Sequence, residues 1–421
     1  MGRRRFLLGF GGASAAVAIS GCATGLEQTS AAGRLSLLTY DDVEEAAALR
    51  EQLTLFQEEK GVVPVLDTVS GSGAAEFPDK LRTRILGGQA PDIWRIWGGQ
   101  IGEPFVEAGL TRALEEIYDQ HGWTELLDES GIDGMTFQGA LHGVPTHVAS
   151  LGAWCNRQVF EEAGAPFPET YAELEEANEL ILESGVTPAG MGGMYGWHLM
   201  RLFEYLLEVT AGPDLHDALL TGDESWEHAA VVEAFDLFHA WEARGWITRG
   251  ALGVTPDDAE QSIAQGASAY TISGQWMENT VVIASGQPHE NFDTFLLPTD
   301  HTDNRHSGFV EGMMVSAHSG NLDEATELLD FIVQPEVQRA LGNTQSVTHG
   351  AEPSEDDYPL SAQWVDIRED SGIYTIQDQA FPPAVSDGYY AVQSGVIQGD
   401  LSSQEAAREM QQIISEWQGA Q

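Results

Sequence analysis

Apolar positions at the front of the chain switch between two periods. Residues 35–40 form a short apolar-rich run, and Ala46, Leu49, Leu53 and Phe56 then recur at spacings of three and four. The first pattern predicts a strand and the second a helix, which Asp41 or Asp42 can cap. Residues 62–69 are rich in β-branched side chains with Pro64 near their start, as suits a sheet edge or a strand opening. Phe77, Leu81 and Ile85 share one helix face that Gly87 and Gly88 terminate, and residues 93–97 supply the next strand. Such β-α units in series predict a mainly parallel sheet with crossover helices.

From about residue 160 to 248 the helical period dominates, over 171–184, 199–210 and 231–243. Strands are predicted at 267–272 and 292–297, and amphipathic helices at 322–333 and 402–417. There is no internal repeat and no low-complexity tract. Residues 34–421 are too many for one ordinary core, so two domains are expected. Composition marks no boundary between them, which fits lobes that the chain crosses more than once.

Charge narrows the partners. The formal net charge is −47, and Lys60 and Lys80 are the only lysines. Nucleic acid and anionic membrane surfaces repel such a chain. Disorder is the usual alternative at high charge, but 42% hydrophobic residues and 11 tryptophans require a packed core. The acid is spread along the chain, as on a solvated surface suited to a salty medium.

The first residues read as an export label. Arg3, Arg4 and Arg5 precede Phe6-Leu7-Leu8 and an apolar stretch over 9–19. That stretch is far shorter than the roughly 20 residues a membrane-spanning helix needs, and it has the form of a signal peptide. The arginines followed by Phe-Leu resemble the twin-arginine export route. Ile19-Ser20-Gly21-Cys22 resembles a bacterial lipobox, which implies removal of residues 1–21 and a lipid on Cys22. Residues 23–33 are small, polar and aperiodic, a tether expected to reach roughly 20 Å as a coil. Cys155 is the only other cysteine, so no intramolecular disulfide is expected in the mature chain.

Several segments together resemble the family 1 extracellular solute-binding proteins of ABC importers, the group that contains maltose-binding protein. They are Ala90-Pro91-Asp92-Ile93 with Glu107-Ala108-Gly109-Leu110; Leu141-His142-Gly143-Val144-Pro145 with Trp154-Cys155-Asn156-Arg157; Ala267 to Trp276; and Ala325 to Ile332 with Pro335-Glu336-Val337-Gln338. They run in the family's order through nearly the whole mature chain. Cys155 stands where the family usually has Tyr. The resemblance implies a two-lobed, periplasmic-binding-protein-like α/β fold with three crossovers at a hinge and a ligand cleft between the lobes. On that scheme lobe one spans 34–148 plus 309–352, and lobe two spans 150–306 plus 353–421. It also implies a monomer on the extracytoplasmic face of the membrane, an ABC permease as partner, a carbohydrate (an oligosaccharide) as ligand, and no cofactor.

A pyranose offers hydroxyls at its rim and C–H groups on its faces, so its site needs fork-like polar groups and flat aromatics. Trp276, after Gly274-Gln275, matches the family's stacking tryptophan. Trp97 and Gln100 follow the strand at 93–97, whereas Trp94 within it is expected in the core. Trp197 and His198 follow a glycine-rich turn; Asp41 and Asp42 close the first strand and can instead cap a helix. Glu76 follows Ser70-Gly71-Ser72-Gly73, His147 precedes the hinge crossing, and Glu311 lies between apolar residues near the second crossing. One of Tyr389 and Tyr390 is expected to face inward. The His301, Asp303 and His306 group has no metal-loop spacing and is read as a polar loop.

An exported glycoside hydrolase is the main alternative, needing two opposed carboxylates. With 66 acidic residues some pair fits by accident, so their number decides nothing. The G-x-S-x-G elbow and the P-loop, H-E-x-x-H and C-x-x-C patterns are absent. If Cys22 carries the anchor, Cys22→Ser abolishes incorporation of labelled fatty acid and releases the chain from the membrane fraction. Unchanged labelling would remove the lipobox reading.

Overall fold

The computed structural model describes residues 34–41, 43–69, 76–302 and 304–420. The signal, Cys22, the tether and Asp42 lie outside these residues.

The strands are β1 (Arg34–Tyr40), β2 (Val63–Val69), β3 (Ile93–Trp97), β4 (Thr136–Phe137), β5 (Ala140–Leu141) and β6 (Gly143–Ser150). They continue with β7 (Gly152–Asn156), β8 (Thr187–Ala189), β9 (Ser268–Ser273), β10 (Phe292–Phe295), β11 (Arg305–Val315) and β12 (Gly372–Thr375). One sheet has the order β12-β11-β3-β1-β2, with β6 also on β11; a second has the order β10-β7-β9-β8. β4 and β5 form a small hairpin.

The predicted β-α series builds the first sheet. β1 pairs in parallel with both β2 and β3, and β2, which carries Pro64, takes the edge where a missing N–H does no harm. The expectation of a mainly parallel sheet needs one amendment. β11 runs antiparallel to both β3 and β6, and only β12 is parallel to it. β6 follows the β4-β5 hairpin and β11 returns from the second sheet, so no local crossover helix imposes a parallel direction on either.

The chain leaves the first sheet between β6 and β7 and returns between β10 and β11. Leu360 and Trp364 of the helix Pro359–Asp370 pack with Trp154 of β7 and Phe292 of β10 before the chain adds β12 to the first sheet. The first core gathers Leu37, Phe56, Ile93, Val315 and Leu328. The second gathers Phe203, Trp226, Phe235, Phe238 and Tyr389. β6 and β11 belong to both: Val148 and Met313 pack in the first core, Ala149 and Phe309 in the second. Neighbouring residues of a strand face opposite ways, so one pair of strands can serve two cores.

Most predicted helices form close to their predicted limits. The helix at 199–210 is longer, Trp197–Thr221, and bends at Gly212 (φ 70°, ψ 171°), just before Pro213. Glycine accepts that backbone and proline prevents a straight continuation. Trp94 is fully buried, as expected. Cys155 is also buried, its thiol donating to Asp293 O at 3.3 Å.

Gly152 opens β7 against the cluster of Trp154, Phe292 and Trp364. A Cβ there would lie 2.2 Å from the Trp364 ring and 3.0 Å from Phe295 O, and Trp364 is held by a 2.9 Å bond from Nε1 to Thr294 Oγ1. Gly152→Ala is expected to cost about 1–3 kcal/mol, read as a lowered midpoint in chemical denaturation. An unchanged midpoint would mean that this packing yields.

Candidate functional site

The first wall is organised by Arg95. It is the one charged residue in the apolar strand β3, and β3 lies between β1 and β11. Its guanidinium donates to Asp41 Oδ1 at 2.8 Å, at the end of β1, and to Glu311 Oε2 at 2.9 Å, on β11. His147 of β6 sits opposite Glu311 in the strand register, with Nε2 3.5 Å from Arg95 Nη2. All three charged side chains are at least nine-tenths buried. Burial works against the Arg95 charge, but Glu311, Tyr40 and Asp41 outweigh it and hold its pKa well above the usual value. Burial, with the Arg95 charge second, pushes His147 well below the usual histidine range, so its imidazole is neutral at pH 7. Tyr40 lies beneath, with Arg95 Cζ 4.8 Å from its ring centre and Trp97 stacked on it at 4.0 Å and 12°.

The second wall is organised by Arg201. Trp197 opens its helix after Gly196 (φ 82°), and Arg201 follows one turn later on the same face. The Arg201 Cζ lies 4.3 Å from the Trp197 ring centre and 5.0 Å from that of Trp276. A Cβ on Gly274 would lie 2.1 Å from the Trp276 ring, so only glycine lets that indole fold back over the end of β9. Glu260 accepts from Ser273 Oγ at 2.6 Å and from the Trp276 side chain, with Arg201 3.9 Å away. Burial lowers the Arg201 pKa to about 10, with Glu260 opposing, and the group stays charged at pH 7. Burial raises Asp378 to about 6, against the pull of Arg201, while Tyr390 OH donates to Asp378 Oδ2 at 3.1 Å.

The walls meet. Asp41, Arg95 and His147 from one side and Trp276 and Asn279 from the other line a space of about 60 Å³. Trp97 packs against the second core and against the cluster of Tyr40, Trp94 and Met314 in the first lobe. The Gln379 side chain donates to Val310 O at 3.1 Å and accepts from Val310 N at 3.3 Å. Gly99 lies so close to Gln379 that a Cβ would be 2.4 Å from its carbonyl oxygen. A larger hollow of about 420 Å³ opens near Asp92 and Ser316, at the opposite end of β3. Asp92 is already engaged there by Ser36 and Ser319.

Of the residues singled out in the sequence, Asp41, His147 and Glu311 converge on Arg95. Trp276 stands across from them, and Trp97, Trp197 and Tyr390 flank the same region. Gln100 is half-buried in the helix Gly99–Glu107, next to Gly99, which lies against Gln379. Three are placed otherwise, Tyr389 being the one of the two tyrosines that does not line this region. Glu76 is exposed and ion-paired with Lys80 at 3.0 Å, because burial of Phe77 turns the preceding residue outward. His198 is fully buried, accepting from Gly192 N at 3.1 Å and sitting 3.1 Å from Thr271 Oγ1. It braces the glycine-rich turn against β9. Tyr389 is enclosed in the second core between Phe203 and Trp226. Asp42 lies outside the described residues, as does Asp303; His301 Nε2 bonds Val209 O, and His306 Nδ1 bonds Ser371 Oγ. Among the described residues no three metal-ligating side chains gather.

Arg95, Arg201, Glu260 and Asp378 join the region without being among the residues singled out in the sequence. A lone arginine in Ile93-Trp94-Arg95-Ile96-Trp97 was a usable signal, since a buried charge requires partners. The spacing of four from Trp197 to Arg201 was another. Asp378 gave none, because its neighbours come from distant segments.

Two α/β lobes that share strands, with charged and aromatic walls meeting between them, define a cleft-type binding protein. Residues 40–339 match the profile of the bacterial extracellular solute-binding proteins, and the chain belongs to that family. It is 24% identical over 389 residues to a probable sugar-binding periplasmic protein of Rhizobium meliloti (strain 1021), covering 87% of this chain and 89% of the relative. The alpha-glucosides-binding periplasmic protein AglE of the same organism is 32% identical over 157 residues, 35% of this chain and 33% of the relative. Among solved structures, a chitin oligosaccharide binding protein superposes with a TM-score of 0.82 at 21% identity, covering 91% of this chain and 98% of that one. RafE in complex with raffinose gives 0.75 at 19% identity, with coverage of 91% and 99%. Both establish the two-lobed fold.

Arg95→Leu leaves Asp41 and Glu311 buried without their cation. A loss of about 3–5 kcal/mol is expected, measured by urea unfolding at pH 7. A loss under about 1 kcal/mol would show that the acids find other partners.

Proposed function

We propose that this protein is anchored outside the cell by lipid on Cys22, captures an oligosaccharide between its lobes, and delivers it to an ABC importer. The observation that carries the reading is the common space lined by Asp41, Arg95 and His147 from one lobe and by Trp276 from the other. Carboxylates and a neutral imidazole suit sugar hydroxyls, and an indole suits the C–H face of a pyranose. Trp97, Trp197, Gln100 and Tyr390 extend the same surface. The names of the relatives, a sugar-binding and an alpha-glucosides-binding protein, support a carbohydrate. Two neighbours named for chitin oligosaccharide and raffinose support more than one sugar ring.

A pyranose exceeds the space now between the walls, so the lobes part to admit it and close again on β6 and β11. Closure is driven only by the sugar's tighter contact with the closed form. The glycosidase reading gains nothing from the geometry. Asp41 and Glu311 stand on the same wall, bound to one guanidinium, whereas glycoside hydrolysis needs two carboxyl groups flanking the bond to be cut.

A thermal-shift screen of the processed chain against neutral and amino oligosaccharides is expected to find a stabilising sugar that is recovered intact. The gain is about 2.7 kcal/mol at a hundredfold excess over Kd. Trp276→Ala should weaken that ligand by about tenfold or more. Hydrolysis of the sugar, or no response to any, would end this reading.

A further inference from the structure

The segment from Leu341 to Gln345 lines the space between the walls and is fastened to both lobes. On the first-lobe side, the Gln345 carbonyl accepts from Val148 N of β6 at 2.9 Å, and the next residue, Ser346, bridges to His147. On the other, Thr344 Oγ1 donates to the Gln275 carbonyl at 3.2 Å, and Asn279 Nδ2 donates to the Gly342 carbonyl at 3.0 Å. The Gln345 N–H donates to Asn343 Oδ1 at 3.0 Å. The backbone at 345 is therefore set before any ligand arrives, which lowers the cost of ordering the site on binding.

The other polar side chains around this segment are spent on the protein itself. Gln338 Nε2 donates to Ile332 O at 2.8 Å, while its Oε1 accepts from Asn343 Nδ2 at 2.6 Å and from Ser346 Oγ at 3.2 Å. Asn343 Nδ2 also reaches Thr146 O at 2.9 Å. Arg95, on the facing strand, is met by Asp41 and Glu311. Gln345 is the exception. It is only 9% exposed and lines the same space, yet its carboxamide makes no hydrogen bond among the described residues. An amide shut away from water without a partner is costly, so the missing partner is best sought in what enters the space. At about 60 Å³ that space admits a few hydroxyl-sized groups but no ring.

We infer that Gln345 is a specificity-determining residue, whose carboxamide reads a pair of neighbouring hydroxyls at the end of the captured sugar. A carboxamide offers an acceptor oxygen and two N–H donors, and a hydroxyl both donates and accepts, so two adjacent hydroxyls satisfy both of its ends. A ligand without them leaves the amide buried and unpaired and is rejected for that reason. The inference rests on carbohydrate capture as proposed above and adds a residue that selects the ligand within that cleft.

The test is calorimetric titration of the processed chain at pH 7 with raffinose, maltotriose and di-N-acetylchitobiose, and the sugar that binds wild type most tightly is carried to the variants. Gln345→Leu keeps the bulk of the side chain and removes its polar end. It is expected to weaken that sugar at least tenfold, while the urea midpoint of the sugar-free chain stays level or rises. If Gln345→Leu does not fold, Gln345→Glu replaces it, since it loses both N–H donors at equal size, and the same tenfold loss is expected. A loss of less than tenfold would overturn the role of Gln345 and leave carbohydrate capture standing. A weaker affinity accompanied by a lower midpoint would also overturn it, because Gln345 would then be supporting the fold. Binding of none of the three sugars by wild type would overturn this inference, while the wider screen decides the function itself.

Discussion

A single guanidinium, that of Arg95, holds three strands in common cause. It ties Asp41 at the end of β1 to Glu311 on β11 and comes within 3.5 Å of His147 on β6. An isolated charge at that depth would be intolerable, and a pair with poor geometry would be little better. The local fold must therefore deliver two carboxylates to fixed positions before the arginine can be buried at all. Because β6 and β11 also pass into the second lobe, the same network fixes where the hinge strands leave the first.

The second wall follows a related logic with different materials. Arg201 is held less by carboxylates than by two indoles, and Gly274 and Gly196 make room for Trp276 and Tyr390. Gln275 then connects this wall to the hinge: its side chain accepts from Ser150 N at 3.0 Å and its carbonyl oxygen from Thr344 Oγ1 at 3.2 Å. Trp276, the next residue, is therefore positioned from strand ends and chain crossings, and a change in the angle between the lobes acts on it directly.

Polar contacts join the lobes beside the shared strands and the aromatic packing of Trp97 and Trp276. Gln379 imitates a strand neighbour by pairing with both backbone groups of Val310. Such bonds exchange readily for water, each with a net worth near 1 kcal/mol. Two rigid cores joined by two shared strands and exchangeable polar contacts suit a body that opens for a solute and closes on it.

The strands and helices were legible in the chain because their signals are local. The β-α series from 35 to 97, the edge proline at 64, the glycine stops and the long amphipathic helices each rest on spacing within one segment. The order of family-like segments added the two-lobed arrangement. Asp41, His147, Glu311 and Trp276 were legible as candidates, since each is polar or aromatic at a strand end or hinge crossing.

Tertiary structure alone decided what those residues face. Glu76, His198 and Tyr389 had the right chemistry in suitable places, yet a turn of helix sent one to solvent and packing enclosed the other two. Arg95 meets Glu311 across 216 positions of sequence, and Gln377 meets Glu204 across 173. Local spacing determines secondary structure because its hydrogen bonds and side-chain periods close within a few residues. A charge buried by one segment and answered by another has no local period, and only the folded chain brings the two together.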